Sequence, residues 1–485
     1  MSSKPGVDSA MVPASSGLPS EVASWVGGDR SVSAFALVPR AEDALKARIA
    51  LIDSATTSID IKYFIWKGDA SSRLIFSRVL AAVARGVRVR ILVDDLNLAA
   101  TDAEMSSLDN AEGLSIRIWN PSQRRSILGT LADYAEAFDS MNKRMHNKMI
   151  LTDGHLGLIG GRNIADEYFG LTNKYNFLDL DVVVAGPIVG DVGSAFDDYW
   201  NADLAVPPGD LTPADPDFDL EDFTAQEESF DDVDTALLAR FPTSGRDWAS
   251  WFEGVRGRWH LGKAVYLQDE PVAAGEESKR LAELIDDFAA EVDDELDVVS
   301  AYLLPSDRTL NTLKQIAASG ARVRVLTGTQ ESVNHTAAYA HYRKDRGRIL
   351  DTGAELYEID GQPSPDVRRA ADTPPAAGKY VAIHLKGMVA DRKECFIGSL
   401  NLDPRAMDIN TEGGLLVTSE GLGEELAELV DHLTSPENGW HVVQNDDGAL
   451  EWHGKGTVQN QSPDRGGVQE AMAKVFGVIP IRSQL

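Results

Sequence analysis

Two copies of one arrangement of histidine, lysine, aspartate and asparagine are the residues of this chain best suited to chemistry. Lysine follows each histidine by two residues, aspartate by seven and asparagine by seventeen, with a glycine at fourteen. The two copies consist of His146, Lys148, Asp153 and Asn163, and of His384, Lys386, Asp391 and Asn401. This shared spacing predicts two equivalent halves of one active site.

These residue types suit the displacement of an alcohol from a phosphodiester. The pKa of histidine lies at about 6.5, so one imidazole can attack phosphorus while the other gives a proton to the leaving oxygen. Attack by a ring nitrogen would form a phosphohistidine and divide one difficult displacement into two easier ones. The two lysines and two asparagines would stabilise charge on the nonbridging oxygens, so this chemistry calls for no metal and no cofactor.

In an extended strand, even and odd offsets from the histidine place side chains on opposite faces. Residues two apart point to the same face, which brings His146 and Lys148 into one pocket. The aspartates, seven residues on, have the opposite parity. Although they complete the candidate catalytic set, we therefore expect Asp153 and Asp391 to act as structural hydrogen-bond or ion-pair partners. Asn163 and Asn401 are expected to bind phosphate, with a turn position after glycine as the alternative.

Longer segments around both copies give the sequence a family resemblance. They are residues 144–148, 160–164, 167–169, 398–405 and 410–412. With them the chain resembles the phospholipase D superfamily, and within it the C-type branch of the bacterial cardiolipin synthases. The resemblance spans about residues 35–435. It implies a phosphatidyltransferase that makes cardiolipin-type phospholipids, acting without metal or cofactor on phospholipids at a membrane surface.

The resemblance also implies roles within the site. His146 would be the nucleophile and His384 the acid. Each imidazole needs an acceptor on its other nitrogen to fix the tautomer. By resemblance Glu412 serves the histidine of the second half, and aligning residues 177–182 with 410–415 gives Asp179 the same role in the first half. Asp181 is the alternative.

Hydrophobic periodicity indicates a duplicated architecture. Helix, strand, helix and strand are expected in both halves, at 41–55, 59–66, up to 84 and 87–93, and again at 281–292, 296–304, 309–318 and 321–326. The predicted fold class is α/β, with two duplicated phospholipase D-like domains, each a mixed β-sheet flanked by helices, and the active site at their interface. The predicted divisions are a flexible leader (1–30), a first domain (31–202), an acidic connector (203–265), a second domain (266–436) and a C-terminal extension (437–485).

Charge limits the choice of partners. The chain has 46 Lys and Arg against 76 Asp and Glu, a net charge of −30, which repels polyanions and makes nucleic acid an unexpected substrate. The same field should weaken docking on anionic membranes, and adaptation to high salt would also explain it. Residues 203–234 hold twelve acidic residues and no Lys or Arg, which is typical of a solvated connector. A calcium site is the alternative there, although the spacing matches no EF-hand loop.

The sequence lacks the apolar core of a signal peptide and any run of the roughly 18 apolar residues that a spanning helix needs. A cytoplasmic protein that visits the inner face of the membrane is expected. The pattern does not predict an oligomeric state.

Three other functions compete with phosphatidyl transfer. If water takes the place of the acceptor alcohol, the same site is a phospholipase D or a phosphodiesterase. A nuclease would need basic, aromatic surface near the site, for which the short runs at 124–125 and 143–144 offer little support. A scaffold without catalysis predicts decayed motifs, whereas both copies are intact.

Overall fold

A computed structural model describes residues 13–96, 100–122, 143–242, 245–272, 281–289 and 291–463, together with single residues beyond 463. Predictions made for residues 1–12 and for the basic pair at 124–125 lie outside the described residues.

The first domain is a mixed sheet flanked by helices. Its elements are α1 (Leu18–Ser24), β1 (Ser33–Val38), α2 (Ala41–Ser54), β2 (Ser58–Tyr63), α3 (Ala70–Ala84), β3 (Arg88–Asp94), α4 (Asp102–Asp109), β4 (Leu114–Trp119), β5 (Met149–Thr152), β6 (Leu156–Gly160), β7 (Tyr175–Leu178), β8 (Asp181–Ala185), α5 (Ile188–Trp200) and β9 (Ala205–Val206). The strand order across the sheet is β1-β8-β6-β5-β2-β3-β4-β9.

The acidic connector packs on the first domain through helices α6 (Leu220–Glu228), α7 (Asp232–Leu238) and α8 (Ala249–Arg256). Arg73 of α3 donates to the carbonyl oxygens of Gln226 at 2.8 Å and Ser229 at 2.7 Å. Asp219 and Asp231 cap α6 and α7 by accepting backbone N–H groups. Most of the acidic side chains of the connector are nevertheless exposed, and α6 buries none of its residues. The connector is therefore solvated, as predicted, but it is helical and makes contact with α3.

The second domain repeats the first. Its elements are β10 (His260–Gln268), α9 (Leu281–Ala289), β11 (Glu295–Ser300), α10 (Asp307–Ser319), β12 (Arg322–Gly328), α11 (Thr336–Tyr342), α12 (Arg346–Leu350), β13 (Glu355–Ile359), α13 (Pro365–Ala371), β14 (Tyr380–Ile383), β15 (Lys386–Ala390), β16 (Glu394–Gly398), β17 (Gly413–Thr418), α14 (Glu420–Thr434), β18 (Gly439–Gln444), β19 (Leu450–Gly454) and β20 (Thr457–Gln459). The order β10-β17-β16-β15-β11-β12-β13-β18 matches that of the first sheet, strand for strand, and β19 and β20 follow it. The two-domain α/β fold is confirmed.

The domains meet in two ways. Strand β10 pairs with both β1 and β17 and so joins the two sheets. An apolar core also lies between the domains, with Leu151 and Ile159 of the first packed in one cluster with Val389 and Ile397 of the second. Burial of this core fixes the relative position of the two halves, which a shared active site requires.

Two predicted boundaries differ from the structure. In the expected leader, α1 packs on the first domain with Val22 buried, and the backbone N–H of Ala14 donates to the carbonyl oxygen of Asp153 at 2.9 Å. In the expected C-terminal extension, β18 pairs with β13 and so belongs to the second sheet. Among the described residues, no helix combines the length and the apolar character that crossing a bilayer would require.

Candidate active site

Each histidine lies in a short segment at the start of a strand, held there by the other domain. His146 precedes β5, and its backbone N–H donates to the carbonyl oxygen of Thr411 at 2.8 Å. His384 lies between β14 and β15, and its N–H donates to the carbonyl oxygen of Leu178 at 2.8 Å. Each histidine thus lies just before the strand that was expected to contain it. Its backbone N–H bonds with the other domain and does not pair within its own sheet.

The side-chain pairing of the histidines is crossed between the domains. His146 Nδ1 lies 2.8 Å from Glu412 Oε2, and His384 Nδ1 lies 2.6 Å from Asp179 Oδ2. Glu412 and Asp179 thus each lie within hydrogen-bond distance of an imidazole, as the predicted orienting role requires. Their assignment to the histidine of their own half is wrong, because each carboxylate reaches across the domain interface. The alternative, Asp181, instead forms ion pairs with Arg48.

Burial and the nearby lysines favour the neutral form of both imidazoles. His146 and His384 are buried. Burial lowers the pKa of His146 well below its usual value, and the charges of Lys148 and Lys386 lower it further. Burial and Lys386 likewise lower the pKa of His384 to about 3, against the opposing effect of Asp179. With Nδ1 bonded to a carboxylate, the Nε2 lone pair of each neutral ring is available for reaction.

The two lysines lie in the same buried pocket as the histidines. Lys148 Nζ donates to the carbonyl oxygen of His146, and Lys386 Nζ lies 2.9 Å from His384 Nδ1. Burial lowers the pKa of Lys148 to about 7 and that of Lys386 to about 8, while Glu412 and Asp179 oppose the shift. Each lysine depresses the pKa of the histidine in the other half. The two copies therefore form a single electrostatic unit.

Asp153 and Asp391 lie away from the histidines and serve the backbone. Asp153 accepts the backbone N–H groups of Thr56, Thr57 and Ser58 and two threonine hydroxyls. Asp391 accepts the N–H groups of residues 293–295 in the matching place. These contacts lie outside the pocket of the histidines and agree with the structural role that parity predicts, which stays a prediction.

We expect Asp153→Asn to reduce stability and to leave turnover almost unchanged. The substitution replaces one carboxylate oxygen by an amide NH₂ that faces buried N–H donors, which should cost about 2 kcal/mol of the free energy of unfolding. Urea unfolding and kcat measure the two effects. Asp391→Asn, in a more exposed place, should cost less, and a collapse of kcat with unchanged stability would contradict this assignment.

The glycine at offset fourteen is required by close packing of strands. A Cβ on Gly160 would lie 2.3 Å from Asp181 Oδ1, and one on Gly398 would lie 2.4 Å from the carbonyl oxygen of Gly413. Both glycines end strands that pair with the segment carrying the orienting carboxylate. Glycine at this offset therefore lets the segment that carries the carboxylate pack closely against the neighbouring strand.

The two asparagines are buried in the site but differ in their bonding. Asn163 Nδ2 donates to the hydroxyl of Tyr168 at 2.9 Å, and its Oδ1 accepts the N–H of Ile65 at 3.2 Å. Asn401 Oδ1 has no hydrogen-bond partner among the described residues. Phosphate binding by Asn163 and Asn401 remains a prediction.

Sequence reasoning missed two polar groups that make the site asymmetric. The Tyr168 hydroxyl lies 3.5 Å from His384 Nε2, and the Ser399 hydroxyl donates to Glu412. The same offsets in the opposite halves hold Ala406 and Gly161, neither of which has a polar side chain. Comparing the two copies residue by residue would have found both groups.

The sequence of this chain is similar to known proteins over most of its length. Residues 49–200 and 286–434 both match the family model described as "Cardiolipin synthase, PLD-like domain". Cardiolipin synthase C of Escherichia coli strain K12 is 30% identical over 454 residues, which are 90% of this chain and 93% of that protein. An uncharacterized protein of Helicobacter pylori strain J99 is 28% identical over 421 residues, 85% of this chain and 81% of that one.

A solved structure shares the fold. The phosphatidylserine synthase of Haemophilus influenzae Rd KW20 is similar with a TM-score of 0.58 at 13% identity, over 96% of this chain and 100% of that one. The duplicated fold, the paired site and the family match together define an enzyme of the phospholipase D superfamily. Within that superfamily, this chain belongs to the cardiolipin synthase branch, whose type of activity is phosphatidyl transfer.

Proposed function

We propose that this protein makes cardiolipin-type phospholipids by transferring a phosphatidyl group from one phospholipid to the hydroxyl of another. The observation that carries the proposal is the crossed pair of buried imidazoles, each held by a carboxylate of the opposite domain at 2.8 and 2.6 Å. The similarity to cardiolipin synthase C over 90% of the chain supports the choice of substrate.

The reaction would proceed through a covalent intermediate on His146. Its Nε2 attacks phosphorus and forms a nitrogen–phosphorus bond, while the bond from phosphorus to the first alcohol breaks and that oxygen takes a proton from His384. The acceptor hydroxyl then gives its proton to His384 and attacks phosphorus, which releases His146. One histidine thus acts as nucleophile and the other as acid and then as base.

The charges of the site fit an anionic substrate. Burial and the two lysines lower the pKa of His384. A bound phosphodiester would offset the field of the lysines, so that His384 can hold the proton it must deliver. Lys148 and Lys386 would hold the nonbridging oxygens in a pocket closed to water, where such donors act most strongly. We propose on this basis that the transfer requires no metal ion.

Hydrolysis is the second candidate, because water can replace the acceptor alcohol at the same intermediate. The choice depends on how well the acceptor pocket excludes water. The burial of both histidines favours transfer, since free water would compete with the lipid alcohol.

Product analysis tests the proposal. Purified protein with vesicles of phosphatidylglycerol and EDTA should yield cardiolipin and glycerol, seen by mass spectrometry. Expression in a host without its own cardiolipin synthases should restore cardiolipin. Accumulation of phosphatidic acid alone would favour the phospholipase, and loss of activity in EDTA that one divalent ion restores would contradict metal independence.

A further inference from the structure

A small two-stranded sheet at the active site ends in a surface that the catalytic mechanism does not use. Strands β7 and β14 pair in parallel, with Tyr175 opposite Tyr380 at their outer end. The two rings stack with centroids 5.6 Å apart and an interplanar angle of 17°. Residues 172–175 and 374–380, which we name the tyrosine tip, also carry two exposed lysines, Lys174 and Lys379.

The charge of the tyrosine tip is opposite to that of the whole chain. Lys174 and Lys379 have no carboxylate within ion-pair distance in the part of the chain that the structure describes. The acids nearby are already matched, since Glu167 pairs with Lys67 and Asp372 with Arg368. Within the described residues these two lysines thus have no acidic partner on a molecule of net charge −30, although Lys174 Nζ lies 5.9 Å from the centroid of the Tyr175 ring.

The tyrosine tip leads directly to the catalytic groups. Strand β14 ends one residue before His384, and β7 ends one residue before Asp179, which orients that histidine. Four residues of extended chain span roughly 13 Å, so the tip stands about that far from the imidazole. The Tyr175 hydroxyl also lies near the side chain of Asn334, which accepts a hydrogen bond from the hydroxyl of Tyr302 in the second domain at 2.8 Å. The tip thus forms part of the rim of the site.

We infer that the tyrosine tip is the surface with which this protein docks on an anionic phospholipid membrane, the opening of the active site facing the bilayer. Tyrosine favours the interfacial region, where its ring meets apolar groups and its hydroxyl stays in water. Lysines near a membrane surface attract anionic headgroups.

The acidity of the rest of the chain would assist this orientation. Charges act over a Debye length of about 8 Å at physiological salt, so the two lysines dominate only at the tip. The excess of acidic residues over the whole chain would disfavour other approaches to the membrane. The net charge of −30, which weakens membrane binding overall, would then select one docking geometry.

Co-sedimentation of the full-length protein with vesicles tests the inference. The variant Lys174→Gln/Lys379→Gln should bind phosphatidylserine-containing phosphatidylcholine vesicles about 30-fold more weakly than the wild type at low salt. At about 1 M salt the difference should vanish, because the Debye length falls to about 3 Å. Vesicles of phosphatidylcholine alone should show no difference between the two proteins.

A matched control distinguishes the effect of the tyrosine tip from the effect of the change in net charge. Lys314→Gln/Lys393→Gln removes two exposed lysines elsewhere on the second domain, one of them past the far end of β15. An equal loss of vesicle binding in this control would overturn the inference, as would unchanged binding in the tip variant. Tighter binding of the tip to a single-stranded oligonucleotide than to vesicles would also overturn it.

The inference rests on the proposed function, and the two fail in different ways. Monomeric dihexanoyl phospholipid needs no docking, so the tip variant should turn it over as fast as the wild type does. If the wild type turns over no phospholipid but binds vesicles through the tip, the proposed function is contradicted and the docking surface stands. If turnover of the soluble lipid is normal while the tip variant binds vesicles like the wild type, the docking surface fails alone.

Discussion

Replacing His146 or His384 by alanine is expected to lower turnover about 10⁴- to 10⁶-fold, and the double variant should be hardly worse than either single variant. The two imidazoles act as one unit, because formation of the intermediate needs both the attacking nitrogen and the proton donor. The measurement is kcat on a phospholipid for the three variants. His341→Ala, which removes a buried histidine elsewhere, is the control for burial and should retain turnover.

Trapping the intermediate assigns the two roles. Quenching without acid should give a phosphoryl adduct on His146, stable to base and labile to acid, and absent from His146→Ala. His384→Asn should slow release of the first alcohol, and least for substrates with a good leaving group, because protonation of that oxygen is the task of the acid. An adduct on His384 would reverse the roles. Measurable turnover without any adduct would favour direct attack by the acceptor.

The second large effect is expected from the crossed carboxylates. Glu412→Gln and Asp179→Asn should each lower kcat about 10²- to 10⁴-fold, since an amide supports the wrong tautomer and orientation of the imidazole. Because each carboxylate orients the histidine of the other domain, the two variants should differ in the step that they impair. Glu412→Gln should impair attack by His146 whatever the leaving group, whereas Asp179→Asn should act through His384 and recover with a p-nitrophenyl leaving group.

Pairing within each half would give the opposite pattern. With the adduct assigned to His146, leaving-group dependence in Glu412→Gln and none in Asp179→Asn would contradict the crossed geometry. Asp181→Asn is the matched control, two residues from Asp179 and equally buried. It breaks the ion pair with Arg48, so we expect a loss of about 3–5 kcal/mol in the free energy of unfolding with unchanged leaving-group dependence.

The sequence predicted the elements and the chemical groups better than their partners. Helix and strand positions follow from local periodicity, so α2 and β3 lie within a few residues of the expected ranges. The parity of Asp153 relative to His146 is also a local property, and its structural role followed from it. The pairing of His146 with Glu412 joins residues 266 apart. Nothing local specifies it, because it depends on how the two sheets pack against each other.

The contact of the connector with the first domain could not be predicted for a related reason. Its composition resembles that of a disordered chain, and the hydrogen bonds from Arg73 to the end of α6 join residues that lie far apart in the sequence. The asymmetry of the site was within reach of the sequence, since Tyr168 and Ala406 occupy the same offset in the two copies.

The crossed carboxylates fit descent from a symmetric dimer of a smaller protein. A single ancestral domain with one histidine and one carboxylate could complete both pairs only by exchanging carboxylates with an identical copy about a twofold axis. Fusion of two such copies would make the encounter intramolecular and free the site from dependence on protein concentration. It would also release the copies from symmetry, so that one could acquire Tyr168 and the other Ser399. Duplication then allows the surroundings of the nucleophile and of the acid to differ in sequence, whereas in a symmetric dimer the two histidines have identical neighbours.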